Sequence, residues 1–469
     1  MKVKQIYTGC LAEAAYYIGS NGEAAIIDPL RETQQYIDLS NQENTKIKYV
    51  FLTHFHADFV SGHLDLARKT GATIVYGPTA KEKTGYEIHE GADNEVFNIG
   101  DVTLTLLHTP GHTMESSSYL LKDEQGIINS VFSGDTLFLG DVGRPDLAVK
   151  SDLTKEQLAG HSFDSLRAKI MTLPNETIVY PNHGAGSACG KNMSKETIGT
   201  IGHEKKTNYA LREDMTKEDF VNELLDGILP PPAYFSKNAM LNIKGSQSFD
   251  DVLEKGNVPL NANIFLERAR SGALVLDVRN PEDFAKAHIP GSIFIGLNGS
   301  FAPWVGALIP DIRQEIILVT PLGDEEETIT RLSRVGYDNT LGFLDGGFDT
   351  WLKSDMEIDA VDSISAEEFV ECQNRSEIPV FDVRKKSENL SEHVIGVRNT
   401  PLDNINDFIT SYPEDTNFFI HCAGGYRSMI ASSILKSRGI HNLIDVKGGF
   451  AAIKEAGAEV STYRCPSTL

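Results

Sequence analysis

The sequence predicts an α/β protein built in three parts, and three observations carry that expectation. A stretch near residue 275 returns about 105 residues later. Within each copy, short apolar runs alternate with helical patterns, the signature of a parallel sheet with helices on both faces. Ahead of the repeat, four apolar runs each end in a histidine or an aspartate.

The repeat is fixed by two matched features. Asp277-Val-Arg279 returns as Asp382-Val-Arg384, and Asp345-Gly-Gly-Phe348 returns as Lys447-Gly-Gly-Phe450. The apolar runs of the first copy are residues 273–278 and 315–320; those of the second are 379–383 and 417–421. The parts are expected at residues 1–245, 262–357 and 360–469, with the polar segment 244–261 as connection. Consecutive prolines at 230–232 make residues 229–235 extended, the tail of the first part.

Composition narrows the function. The 469 residues are 41% hydrophobic and 23% charged, ordinary values for a soluble chain. A net charge of -23 repels phosphate backbones and anionic lipid, so neither nucleic acid nor membrane is an expected partner. No apolar run approaches the ~18 residues of a membrane helix, and no signal peptide is evident after Met1. Five scattered cysteines make no disulfide framework, which points to the reducing cytoplasm.

Eight of thirteen histidines lie at or before residue 183. The run 48–53 leads into His54-Phe-His56-Ala-Asp58-Phe59, with His63 following. Residues 102–107 lead into His108 and His112, 127–132 into Ser133-Gly-Asp135, and 177–181 into His183. Ligands at strand ends are held rigidly yet open to solvent, as a catalytic metal needs. The glycine-rich loop 184–192 nearly spells a phosphate loop, but Ala185 and Asn192 break the pattern, so nucleotide binding is rejected.

This constellation resembles the metallo-β-lactamase fold, over about the first 245 residues. The family pattern is His-x-His-x-Asp-His, then Gly-His, Gly-Asp and a late His; here Phe59 replaces the last histidine of the first motif. That histidine helps hold a second metal, so the departure favours a mononuclear site. Two histidines and a carboxylate around one metal is the arrangement of non-haem Fe(II) oxygenases. The branch resembled is that of the persulfide dioxygenases, which also matches the run Gly140 to Asp146. The resemblance implies one Fe(II) per chain, with Zn as the alternative, on His54, His112 and Asp135. It implies orienting or substrate-binding roles for His56, Asp58, His183, Arg144 and Asp146. Cys189, six residues after His183 in the glycine-rich loop, is either a thiol that meets substrate near the pocket mouth or, more commonly for such a residue, a buried, inert one.

In the third part the run 417–421 ends at Cys422-Ala423-Gly424-Gly425-Tyr426-Arg427-Ser428, before a helical stretch at 429–438. A thiol beneath a loop that opens a helix is surrounded by N–H groups and a positive helix end, which stabilise a persulfide anion. Arg427 adds fixed positive charge. Both repeats resemble the rhodanese family, but only the second carries Cys-x-x-Gly-x-Arg. In the first, Thr320 stands at the cysteine position, followed by Asp324 to Glu327, so that copy is expected to be inactive. His288 and His393 are expected to be structural, and Cys10, Cys372 and Cys465 incidental.

The fold so implied is an N-terminal αββα sandwich followed by two rhodanese-like α/β domains with parallel sheets. The expected function is oxidation of a low-molecular-weight thiol persulfide by O2 to sulfite. Sulfur transfer through Cys422 would then give thiosulfate, a persulfide-detoxifying pair. A dizinc thioester hydrolase of the glyoxalase II type fused to a sulfurtransferase is one rival, and a non-enzymatic persulfide carrier is another. Assembly as a homodimer or homotetramer is expected, with the inactive copy as the contact surface.

Overall fold

Along the N-terminal strands the apolar side chains alternate between two packing layers, as strands covered on both faces require. Leu104, Leu106, Tyr119, Leu121 and Phe132 join Tyr16, Ile18, Ile27, Phe51 and Val75 in one buried cluster between two sheets. Their chain neighbours Leu107, Leu120 and Val131 point the opposite way, against Ala159, Leu166, Phe220 and Leu224 of an outer helical layer. On the far side Tyr17, Ile26 and Val50 pack against Tyr36 and Leu66 of the helices Gln34–Gln42 and His63–Thr70. The result is the αββα sandwich.

The computed structural model describes residues 1–146, 153–228, 230–375 and 378–465. Each N-terminal sheet has six strands that neighbour one another in chain order. The strand Ile128–Gly134 runs parallel to Ile178–Pro181 and antiparallel to Ser117–Lys122, which is antiparallel to Val102–His108. Three strands therefore finish at the same edge of one sheet, and Lys46–Phe51 finishes its own sheet just before His54.

Two five-stranded sheets follow, in which every strand pair is parallel. The order in the first is Pro259–Leu260, Thr340–Leu344, Ile316–Val319, Leu274–Asp277, Ile293–Phe294. In the second it is Asp362–Ile364, Leu443–Val446, Phe418–His421, Val380–Asp382, Arg398–Asn399. The identical order is the structural form of the repeat.

The chain groups into two compact units, Met1–Val252 with Thr330–Asp338, and Leu253–Ile329 with Asn339–Leu469. Thus a short piece of the first repeat belongs to the N-terminal unit. There Arg31 donates to the Ser333 carbonyl at 3.0 Å and pairs with Asp338 at 2.5 Å, and Val60 N–H donates to the Arg334 carbonyl at 2.7 Å. The expected connection 244–261 also differs, since it contains the helix Phe249–Gly256. Asp250 and Asp251 stand in the first turn of that helix, while Phe249 and Val252, three apart, are buried. Of the proline stretch, 230–232 adopts neither helix nor strand, Phe235 opens a helix, and residue 229 lies outside the described residues. Among the described residues no helix is long and apolar enough to cross a membrane.

Candidate metal centre and sulfur-transfer loop

At the shared strand edge, one ligand atom each from His54, His112 and Asp135 lies within 4.8 Å of the other two, all buried. Asp135 Oδ2 is 3.3 Å from His112 Nε2 and 3.9 Å from His54 Nε2. The neighbours fix which ring nitrogens carry protons. Thr53 Oγ1 donates its one hydrogen to Asp28 Oδ2 at 2.8 Å, so at 2.9 Å it accepts from His54 Nδ1–H. His112 Nδ1 faces the Arg144 carbonyl at 2.7 Å, which can only accept. Both Nε2 atoms therefore turn lone pairs toward a carboxylate.

Burial, with His56, His112 and His183 nearby, holds the His54 ring well below the usual imidazole range, so it is neutral. Both Asp135 oxygens are buried with no hydrogen-bond partner among the described residues. Two lone pairs and an unpartnered carboxylate repel one another unless a cation lies between them, so this donor set fits a divalent metal.

The supporting residues hold this geometry. His56 Nε2 bonds Asp28 Oδ1 at 2.9 Å, and its Nδ1 has no partner among the described residues. Gly143 passes so near that a Cβ there would lie 2.2 Å from the Asp135 carbonyl oxygen and 2.9 Å from His112 Nδ1. Arg144 and Asp146 form a two-pronged ion pair at 2.6 and 2.7 Å, and Arg144 N–H donates to the Cys189 carbonyl at 3.0 Å. Asp58, His183 and Cys189 form a second buried group beside the first. Burial and the carboxylates of Asp58 and Asp135 push the Cys189 thiol well above its ordinary value.

In the last sheet the strand Phe418–His421 delivers Cys422 to a loop that opens the helix Tyr426–Ser437. Gly425, at φ 105°, turns its N–H onto Cys422 Sγ at 3.1 Å. Phe450 N–H donates to the Cys422 carbonyl at 2.7 Å, and Ala451 N–H to that of Ala423 at 3.2 Å. Arg427 pairs with Glu388 through both nitrogens, at 2.6 and 2.8 Å. Gly424 has open space around its α-carbon, whereas Ser428 bonds the Gly425 carbonyl at 3.2 Å. The Tyr426 hydroxyl turns to the Gly296 carbonyl, at 2.7 Å, and so lies with the first copy.

Residues 8–183 match the metallo-beta-lactamase superfamily, and residues 261–354 and 365–456 match the rhodanese-like domain. A crystal structure of a metallo-beta-lactamase from Staphylococcus aureus is 32% identical with a TM-score of 0.64, covering 73% of this chain and 98% of that one. The probable metallo-hydrolase YqgX of Bacillus subtilis is 30% identical over 39% of this chain and 90% of its own length. The chain belongs to the metallo-β-lactamase superfamily. It joins that domain to two rhodanese-like domains. The cytoplasmic hydroxyacylglutathione hydrolase of Arabidopsis thaliana is 30% identical over 39% of this chain and 67% of its own length. Of three further hydroxyacylglutathione hydrolases, two called probable, the chain spans 58 to 60% of the length.

Within the superfamily domain, two residues escaped the sequence reading. Asp28 accepts from Thr53 N–H, Thr53 Oγ1 and His56, so it orders both histidines of the first motif. It follows the strand Glu23–Ile27, the same strand-then-aspartate pattern that marked Asp135. Glu13 is fully buried, with neither carboxylate oxygen partnered among the described residues. Burial and then Asp28, Asp58 and Glu32 raise it well above the usual carboxyl range. It leads an unusually apolar strand, Glu13–Ser20, and pairs by a backbone bridge with His183.

Proposed function

We propose that the metallo-β-lactamase-like domain oxidises a low-molecular-weight thiol persulfide with O2, and that Cys422 transfers sulfane sulfur. In the first reaction RSSH, O2 and H2O give RSH, sulfite and two protons. A single Fe(II), when bound by His54, His112 and Asp135, would supply the positions for substrate sulfur and O2 and the electrons for O2 activation. Thr53 and the Arg144 carbonyl keep both imidazoles in the tautomer with Nε2 free. Burial keeps His54 unprotonated, and the buried Phe59 ring stacks on His56. His56, Asp58, His183 and the Arg144–Asp146 pair orient this set.

In the second reaction a persulfide passes its terminal sulfur to Cys422, releasing RSH. Sulfite then attacks that sulfur, breaking the S–S bond to form thiosulfate and restoring the Cys422 thiolate. The Gly425 N–H and the helix start hold the sulfur anion, and Arg427 offers charge to the incoming anion.

The observation that carries the reading is the two-histidine, one-aspartate group in a chain with Phe59 at the missing histidine, joined to a cysteine loop. The test is O2 consumption by the purified, iron-loaded full chain across persulfides of glutathione, coenzyme A and bacillithiol. One sulfite per O2 is expected, and His112→Ala abolishes it. Absence of persulfide-dependent O2 uptake, with hydrolysis of an acylthioester in its place, overturns the reading. That second chemistry is favoured by the hydroxyacylglutathione hydrolases among the relatives. Sulfite formation that survives His112→Ala would leave a persulfide carrier. A homo-oligomeric, cytoplasmic enzyme is part of the proposal; size-exclusion with light scattering tests the assembly.

A further inference from the structure

The loop that carries the first histidine motif is buried along its length, yet residues 52–60 form neither helix nor strand. Its backbone N–H and C=O groups therefore need partners from elsewhere in the fold. Asn242, buried in the helix Phe235–Lys244, serves three of them. Its amide nitrogen donates to the His56 carbonyl at 2.7 Å and to the Phe59 carbonyl at 2.8 Å. Its amide oxygen accepts from Ser61 N–H at 2.8 Å. Both donor hydrogens and the acceptor oxygen are thus used on one loop.

The two carbonyls so held belong to residues whose rings are stacked. Between ring centres, Phe59 lies 4.3 Å from His56 and His56 lies 4.2 Å from His54, which meets His112 edge-on at 4.8 Å. Phe59, where the family pattern has histidine, is the outer end of a ring column that leads to both histidine ligands. Asp28 ties the column a second way, since it bonds both His56 and Thr53, the partner of His54. A turn of the backbone at 56–59 would reach His54 by ring contact and through Asp28.

Asn242 is anchored in turn by His63, the remaining histidine of this stretch. The Asn242 carbonyl accepts from the Tyr86 hydroxyl at 2.5 Å, and that hydroxyl oxygen accepts from His63 Nε2–H at 2.8 Å. Burial pushes the His63 ring down to about 3, so it stays neutral and the chain of bonds keeps one direction. His63 opens the helix His63–Thr70 just after the loop, so the anchor starts where the loop ends.

We propose that Asn242, anchored by Tyr86 and His63, is a positioning residue for the metal centre. It fixes the loop 56–61, and through the Phe59–His56–His54 column it holds His54 toward Asp135. None of its side-chain bonds reaches a ligand side chain, so it acts through His56 and Phe59. The assignment rests on His54, His112 and Asp135 holding a metal, and is independent of the reaction that follows.

The test compares two alanine variants of one helix. Asn238 stands one turn before Asn242, is fully buried, and makes no side-chain hydrogen bond among the described residues. Asn238→Ala therefore removes a buried amide from the helix without touching the loop. The metal-free full chain is titrated with Co(II) against a competing chelator, and the visible absorption of the bound ion is recorded. Asn242→Ala should bind Co(II) about 10–100-fold more weakly, with an altered spectrum, whereas Asn238→Ala should match the native chain in both. Urea midpoints of the metal-free proteins read the structural cost separately. Native affinity and spectrum in Asn242→Ala would overturn the proposal, and so would an equal loss in both variants, which would make the helix and not the amide the cause. Where Asn242→Ala does not fold, Tyr86→Phe decides: it removes one hydroxyl from the anchor and should still weaken Co(II) binding, and unchanged affinity overturns the proposal. A native chain that takes up no Co(II) sinks the metal reading and this assignment together; the other failures sink the assignment alone.

Discussion

In the first rhodanese-like copy the strand Ile316–Val319 ends at Thr320, whose hydroxyl donates to Glu325 at 3.3 Å, and Gly323 N–H donates to the same carboxylate at 3.0 Å. In the second copy the strand Phe418–His421 ends at Cys422, and Gly425 N–H donates to its sulfur at 3.1 Å. The two loops present amide donors to an anion, but the first fills the place with its own side chain. Behind the loops the copies agree. Asp277 clamps Arg279 over the Phe348 ring, and Asp382 clamps Arg384 over Phe450, each guanidinium 3.9 Å from its ring centre. The scaffold is the same with threonine or cysteine at the strand end, because a buried charge pair behind the loop holds it in place.

The largest effect that sharpens this contrast is at the nucleophile. Cys422→Ser should reduce persulfide-to-sulfite transfer by about 10⁴-fold or more, since the covalent carrier is gone. Thr320→Cys in that background should restore nothing, because Glu325 keeps the loop donors and repels an arriving sulfur anion. Thiosulfate formation measures both. Transfer by Thr320→Cys within tenfold of the native second copy would break the contrast.

Next comes the shared clamp. Removing either guanidinium leaves a buried carboxylate without its counter-charge, at a cost of about 3–5 kcal/mol. Arg279→Ala should cost more than Arg384→Ala. Asp382 keeps the Asn389 amide at 2.9 Å and has His421 at 3.9 Å, whereas the Asp277 carboxylate bonds Arg279 alone among the described residues. Urea unfolding of the full chain measures the difference, and equal losses would show that the second copy's extra partners contribute nothing.

Much of this was legible in the sequence because strands that end in ligands and repeats that keep Asp-Val-Arg are local patterns. His54, His112 and Asp135 come together, and the parallel sheets follow the alternation of runs and helices. What escaped depends on distant partners. Glu13 carries no local signal: its burial goes with a backbone bridge to His183, 170 residues along the chain. Residues 330–338 fall inside the expected part 262–357, yet Arg31 and Val60 tie them to the N-terminal unit. Cys189 is buried, the commoner of the two fates its loop allowed, but its place beside Asp58 and His183 depends on how that loop folds back. The helix Phe249–Gly256 was hidden because it is only eight residues long and lies in a segment whose Gly, Ser, Asp and Asn content is that of a linker.

The smallest effect separates the copies by pH. By the Gly-Gly-Phe register, Asp445 of the second copy stands where the first has Phe343. Burial raises the Asp445 carboxyl from 3.8 to about 7, against weaker lowering by Ser428 and Lys447 and a further push up from Glu282. Between those values the folded chain holds a proton that the unfolded chain has released, so stability falls as pH rises through the window and levels off above it. The slope is at most about 1.4 kcal/mol per pH unit. Asp445→Asn stays neutral throughout, so its stability relative to the native chain should grow from acid to neutral pH and then stay constant. Urea midpoints of both proteins across that range test this, and parallel curves would mean that Asp445 ionises in the folded chain as freely as in the unfolded one. A difference confined to the window would mark the second copy as the one whose core tolerates a titrating group beside the sulfur loop, through Ser428, where the first has an aromatic ring.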